Sequence, residues 1–189
     1  MRNKNDARYK RTHKLIMDTF KNMIIEMDFT KITIKDLTNI AGINRKTFYL
    51  HYYSLDEILY ELQNEIINGL IDILDQETSD ENSIDIQKFM TAFSKLLSDD
   101  QPLHQRLLCC ENYRFVAEQV QNIVTEKCSE IFFAGKDIDT SRKDMVTAYL
   151  SHSILTLWRN WLLSGCEMTK DEMIHFSTQL VEHGLDSIN

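Results

Sequence analysis

Proline occurs once in this chain of 189 residues, and glycine five times. All-β sandwiches and barrels spend turn residues about every ten positions, so this supply excludes them. No two glycines lie near each other, which also excludes a glycine-rich phosphate loop. The four cysteines, Cys109, Cys110, Cys128 and Cys166, form neither a disulfide framework nor a C-x-x-C pair, and they point to a reduced, cytoplasmic chain. Cys109 and Cys110 are neighbours, and neighbours on a helix point about 100° apart, so they make a poor metal clamp. No metal and no cofactor is expected. A run of about 18 apolar residues is missing, so no segment is expected to span a membrane. The opening MRNKNDARYKRTHK is charged with no apolar stretch behind it and does not read as a signal peptide. H-E-x-x-H, paired E-x-x-H and P-loop motifs are absent, as is a plausible catalytic triad, so the chain does not read as an enzyme. What remains is an all-α protein.

Net positive charge is also missing. The chain carries 21 basic and 29 acidic side chains, a net charge of −8. Taken whole, that balance argues against nucleic acid as a partner. Its distribution argues the other way. Residues 1–53 hold eleven Lys/Arg and five Asp/Glu, a net +6, while residues 54–189 hold ten and twenty-four, a net −14. A basic head attracts polyphosphate and an acidic body is repelled by it. The sign change suggests two domains, 1–53 and 54–189.

Apolar residues recur at Ile16, Phe20, Met23, Ile24 and Met27, which predicts a helix over 10–27. Phe29 to Lys31 breaks it. Thr33 reads as the N-cap of a short helix with Ile34, Leu37, Ile40 and Ala41 on its inner face. Gly42 supplies a tight turn, and Asn44 caps a third helix from Arg45 to about His51. Ser54 and Glu57 form a capping box for a fourth, running to about Asp75. The polar segment 76–82 (QETSDEN) reads as a linker. Helices follow over about 83–97, 102–110, 112–133, 141–163 and 169–187, with Gly165 closing the longest and Thr169 to Glu172 capping the last. The total is nine helices.

Residues 33–53, TIKDLTNIAGINRKTFYLHYY, form a helix-turn-helix: two short helices joined by A-G-I. The first must be apolar inside to brace the second. The second must expose polar side chains, because the major groove admits one α-helix. Asn44, Arg45, Lys46 and Thr47 stand at its leading end, Phe48 is its apolar anchor, and Tyr49, His51 and Tyr52 follow. Arg45 is the strongest candidate base reader, since a guanidinium meets guanine with two hydrogen bonds.

The run T-I-x-D-L-x-x-I-A-G-I-N-x-x-T-F-Y-x-H-Y-x-S-x-x-E-I-L resembles the DNA-binding head of the tetracycline-repressor (TetR) family of bacterial regulators. Thr33, Ala41-Gly42, Thr47-Phe48-Tyr49 and Ser54 carry the likeness, which spans Lys14 to Tyr60. It implies a homodimer whose heads enter successive major grooves of a palindromic double-stranded DNA operator. It implies that Thr33 and Lys35 touch backbone, that Asn44 to Thr47 face bases or nearby phosphates, and that Tyr49, with Tyr52 or His51, clamps phosphates. Two positions depart from the family's habit: Leu55 stands where a phosphate-contacting Lys is common, and Tyr52 replaces a usual Phe. Phosphate anchoring then shifts to other groups. Arg8, Lys10 and Arg11 are candidates, unless that arm is only a solvated basic tail.

The body carries no comparably specific motif. The family implies an inducer cavity, for which Phe89, Phe93, His104, Leu107, Tyr113, Phe115, Tyr149 and His152 are candidates. Apolar residues at helical spacing are more often core than pocket lining, and His104 and His152 are the polar exceptions. Trp158, Trp161, Met173, Phe176, Leu180 and Gly184 are candidates for a four-helix dimer interface, with the monomer core as the alternative. Trp158 and Trp161 cannot both point inward on one narrow stripe. The leading expectation is a transcription regulator, a repressor released from its operator by a small molecule in the body. A body that docks a protein partner, or a helical small-molecule-binding protein without DNA regulation, are the rivals.

Overall fold

The structure, a computed structural model, describes residues 7–77, 85–98, 100–133 and 139–186. Nine α-helices are present among them: α1 (Ala7–Glu26), α2 (Ile34–Ile40), α3 (Arg45–Phe48), α4 (Leu55–Glu77), α5 (Ile86–Ser98), α6 (Gln101–Cys109), α7 (Arg114–Phe132), α8 (Thr140–Leu163) and α9 (Lys170–Asp186). No strand occurs among the described residues. The chain divides into two compact units, 1–65 and 66–189, with the division inside α4.

In the N-terminal unit, α1 buries Ile16, Met17, Phe20, Met23 and Ile24. That is the stripe the 3.6-residue period dictates. Leu37 of α2, Phe48 of α3 and Ile58, Leu59 and Leu62 of α4 complete this unit's core. Phe29–Lys31, expected as a break, forms one 3-10 turn, and Phe29 sets its ring edge-on to Phe20. Helix α1 begins at Ala7, before the expected Lys10, so Arg8, Lys10 and Arg11 are helical rather than a loose tail. Ile40 does not face inward as expected: it is exposed at the last position of α2, where the chain has already begun to turn.

In the C-terminal unit, α7 packs along α8 and α5 along α9, with α6 against α7 and α8. Phe89 and Phe93 stack on α5, and Phe93 meets Trp158 of α8 edge to face. Thr169 and Glu172 cap α9 reciprocally: the Glu172 N–H reaches Thr169 Oγ1 at 3.3 Å, and the Thr169 N–H reaches Glu172 Oε2 at 2.8 Å. The Thr169 hydroxyl, donating to the same Glu172 oxygen at 2.8 Å, and then the Thr169 N–H hold the Glu172 carboxyl below its ordinary value. Pro102 sits in the first turn of α6, where its missing N–H costs nothing. Gly165 closes α8 at a φ of 78°. Helix α4 extends to Glu77, so the expected linker begins later than Gln76; positions 78–82, the expected helix start at 83 and 84, and most of the loop before α8 lie outside the described residues.

Candidate functional site

Thr33 caps α2: its Oγ1 accepts the Asp36 N–H at 3.1 Å. Asn44 caps α3 in the same way, accepting the Thr47 N–H at 2.7 Å and the Thr47 hydroxyl at 3.0 Å. Gly42, at a φ of 64°, makes the turn between them. A side chain would strain that conformation. Behind α3, Phe48 is fully buried, and Tyr49 sets its ring edge-on to it. One apolar anchor therefore fixes which face of this single-turn helix points out.

Lys35, Arg45, Lys46 and Tyr49 lie on the exposed side. Among the described residues, Lys35, Arg45 and Lys46 have no carboxylate partner, so their charge stays available to solvent or to a polyanion. Asn44 is exposed, but its carbonyl is spent on the cap, as is the Thr47 hydroxyl proton. The donors left open at this end, among the described residues, are Arg45, Lys46 and the Asn44 Nδ2 amide. Leu50 and Tyr53 are also exposed beside them, and no local sequence pattern singles them out.

Tyr52 is misplaced by the sequence reading. It is 2% exposed, and its hydroxyl donates to Glu61 Oε2 at 2.9 Å while lying 2.9 Å from His13 Nε2. His13 Nε2 is in turn 3.2 Å from Glu61 Oε1. Because the phenol proton goes to Glu61, the same oxygen accepts from the His13 Nε2–H. Burial first, and the bond to Glu61 second, push the phenol well above its ordinary value. A group so enclosed cannot clamp phosphate. Its hydroxyl instead ties the turn after α3 to α1 and α4. His51 is half-buried and stacks on Tyr9 with ring centres 4.2 Å apart.

The expected inducer residues divide between the core and the surface of the C-terminal unit. Phe89, Phe93, Leu107 and Tyr113 are buried in the core of the C-terminal unit. His104 is buried beside Leu107, and its Nδ1–H donates to the Leu97 carbonyl at 2.9 Å, a structural bond across to α5. Phe115, Tyr149 and His152 lie at the surface, and His152 Nδ1 donates to its own helix at Ala148. Cavities open elsewhere. One of about 80 Å³ lies between α6, α7 and α8. Another of about 300 Å³ lies along the end of α8 and α9, lined by Trp161, Met168, Met173 and Phe176 among others.

The expected interface residues also separate. Trp158 and Met173 are buried in this single chain, so they serve its core and not a surface. Helical rotation explains the split: Trp158 takes the inward stripe with Ile154 and Leu162, and Trp161 is carried round to a half-buried position where its Nε1–H donates to Met168. Gly184 makes its close approach within the chain. A Cβ there would strike the Tyr149 ring, whose carbon Cε1 would lie 2.9 Å away, so the missing side chain lets α8 and α9 pack. Phe176 and Leu180 remain exposed.

Among the described residues, no helix is long and apolar enough to cross a membrane, and no three His, Cys, Asp or Glu side chains are placed to hold a metal ion. The side chain of Cys128 lies outside the described residues.

A family model for the C-terminal region of TetR-type transcriptional regulators matches residues 85–183, slightly more than half of the chain. The chain belongs to the TetR family of transcriptional regulators. It is 33% identical over 96 residues to the HTH-type transcriptional regulator YxbF of Bacillus subtilis. That match covers 49% of this chain and 24% of the relative, so the chain spans about a quarter of that relative's length. Two solved structures share the fold. NalD, the secondary repressor of the MexAB-OprM multidrug efflux pump in Pseudomonas aeruginosa, superposes with a TM-score of 0.72 at 16% identity, covering 95% of this chain and 98% of that one. A TetR-family regulator from Syntrophomonas wolfei gives 0.71 at 15% identity, covering 92% and 94%. These relatives are regulators and not enzymes.

Proposed function

We propose that this protein is a sequence-specific DNA-binding regulator that sits as a homodimer on a palindromic operator, represses transcription there, and is released by a small molecule held in its C-terminal unit. The observation that carries the reading is the cap of α3: Asn44 in front, Phe48 buried behind, and Arg45 and Lys46 exposed without carboxylate partners. Arg45 reads a base, Lys46 and Lys35 meet phosphate, and Thr33, Thr47, Tyr49 and His51 stand within the same face. Family membership supports this assignment, and NalD, with the same fold, is a repressor. Domain roles follow: 1–53 bind, 54–189 regulate and dimerise. The exposed Phe176 and Leu180 of α9, with Met145 and Tyr149 of α8, offer the apolar surface that a partner copy would cover. A regulator of this kind works in the cytoplasm on double-stranded DNA and needs no membrane.

The test is footprinting of the purified protein on genomic DNA, followed by anisotropy titration on the protected sequence. The expected result is a protected inverted repeat with half-sites about one or more helical turns apart. No protected site, or protection that ignores sequence, would sink the reading.

A further inference from the structure

Two tryptophans three residues apart on α8 differ in what their indole N–H meets. Trp161 donates to the Met168 carbonyl at 2.8 Å. Trp158 is 1% exposed, and its Nε1 is buried with no hydrogen-bond partner among the described residues. Buried donors are rarely left unpaired in folded proteins, so this one requires a cause. Gln121 on α7 repeats the pattern, with a buried Nε2 that has no partner. Both residues line the same cavity, the one of about 80 Å³ between α6, α7 and α8.

Arg159 lines that cavity too and adds a cation. Its Nη2 makes one long bond, 3.4 Å, to the Cys109 carbonyl, and no carboxylate pairs with it among the described residues. Leu108, Ala117 and Leu155 supply an apolar wall. The polar character of the site is therefore two buried neutral donors, the Thr156 hydroxyl and one positive charge on the exposed Arg159 at its mouth, set against hydrocarbon. That combination suits a single negative charge on an acceptor group carried by an alkyl chain. The space admits a carboxylate together with part of a short alkyl chain. A tetrahedral phosphate would meet one cation only and would leave the apolar wall unused.

We infer that this cavity binds the carboxylate end of a short-chain organic acid, with Trp158 Nε1–H, Gln121 Nε2–H and the Arg159 guanidinium as its donors. The site rests on the small-molecule reading above and gives that molecule a chemical class and a place. It is not the constellation of residues that the sequence suggested for this role.

Trp158 reports on its own site. The Trp161→Phe variant leaves it as the sole tryptophan. Its emission is titrated with acetate, propionate, butyrate and hexanoate at constant ionic strength, with butanol and butylamine as controls, and calorimetry on the wild-type chain repeats the best acid. The expected result is a saturable response to acids with a Kd near or below about 1 mM, and none to the alcohol or the amine. Gln121→Glu and Arg159→Leu, with unchanged melting, weaken binding at least about tenfold, and Arg159→Lys falls between. No saturable response to any acid, an equal response to butanol, or affinity untouched by Gln121→Glu and Arg159→Leu would overturn the site. Operator binding is measured in parallel. Acid that binds through these residues yet leaves operator affinity unchanged would keep the site and remove the release mechanism. Release by an acid that persists in both variants would keep the mechanism and remove the site.

Discussion

The two units differ in the sign of their charge and in where their open cations lie. In the C-terminal unit, which is acidic overall, Lys88 pairs with Asp85, Arg114 with Glu111 and Glu118, and Lys127 with Glu130, while Arg142, Arg159 and Lys170 have no carboxylate partner among the described residues. In the N-terminal unit, Lys21 pairs with Glu65, but Lys35, Arg45 and Lys46 have no such partner among the described residues. Exposed ion pairs add little to stability, so the pairing does not explain why either unit folds. What it changes is the field. Cations scattered over an acidic unit present no net attraction to a polyanion, and cations left open around one capped helix do. The overall charge of −8 hides this because the acidic excess lies wholly beyond residue 53.

The contrast can be attacked from both sides. Removing the anchor behind the open face should do most damage. Phe48→Ala leaves a cavity in the N-terminal core and should cost about 3–5 kcal/mol of stability, read by denaturant unfolding, with DNA binding lost as α3 loses its bearing. Arg45→Ala should leave the unfolding midpoint in place and weaken operator binding by about 1–3 kcal/mol, relaxing preference at one base step. Unchanged sequence preference would remove Arg45 as a reader. In the C-terminal unit, Gly184→Ala sets a methyl group against Tyr149 and should destabilise by about 1–3 kcal/mol through the packing of α8 on α9, with no change in binding to DNA by the folded fraction.

Tyr52→Phe should have the smallest effect, about 1 kcal/mol, because it leaves Glu61 and His13 without the oxygen between them. It also separates two roles. If the phenol were a phosphate clamp, the variant would flatten the salt dependence of binding; as a buried tie, it should not. The phenol's ionisation is raised above the ordinary 10.0. Its contribution to stability is therefore complete below that pH and is lost as pH rises through the higher folded value. Alkaline unfolding curves should accordingly be shallower for the Phe variant in that range.

The N-terminal unit was legible because its constraints are local. Thr33 and Asn44 cap helices that begin one residue later, Gly42 turns the chain at a φ only glycine enters freely, and Phe48 is the one large apolar residue of α3. Tyr52 failed because its role depends on Glu61 and His13, which are nine and 39 positions away in the chain. No local pattern signals a hydrogen bond between three helices. The C-terminal unit was legible only as helices. Apolar spacing marks Phe89, Phe93, Trp158 and Met173 as buried on one side, and cannot say whether that side meets a ligand, a partner copy or its own chain. Gly184, expected at a dimer interface, packs against Tyr149 of its own chain. The donors around the α6–α7–α8 cavity left no trace at all, since Gln121 and Trp158 stand out only once their partners can be counted.

Salt dependence tests the central claim most directly. Operator affinity of the wild-type chain and of Lys46→Ala is measured by anisotropy across a range of salt concentrations. The open cations of the N-terminal unit predict a steep linear fall of log affinity with log salt, and a slope shallower by about 1 in the variant, for one phosphate contact removed. A flat plot, or one with the same slope in both proteins, would contradict the account.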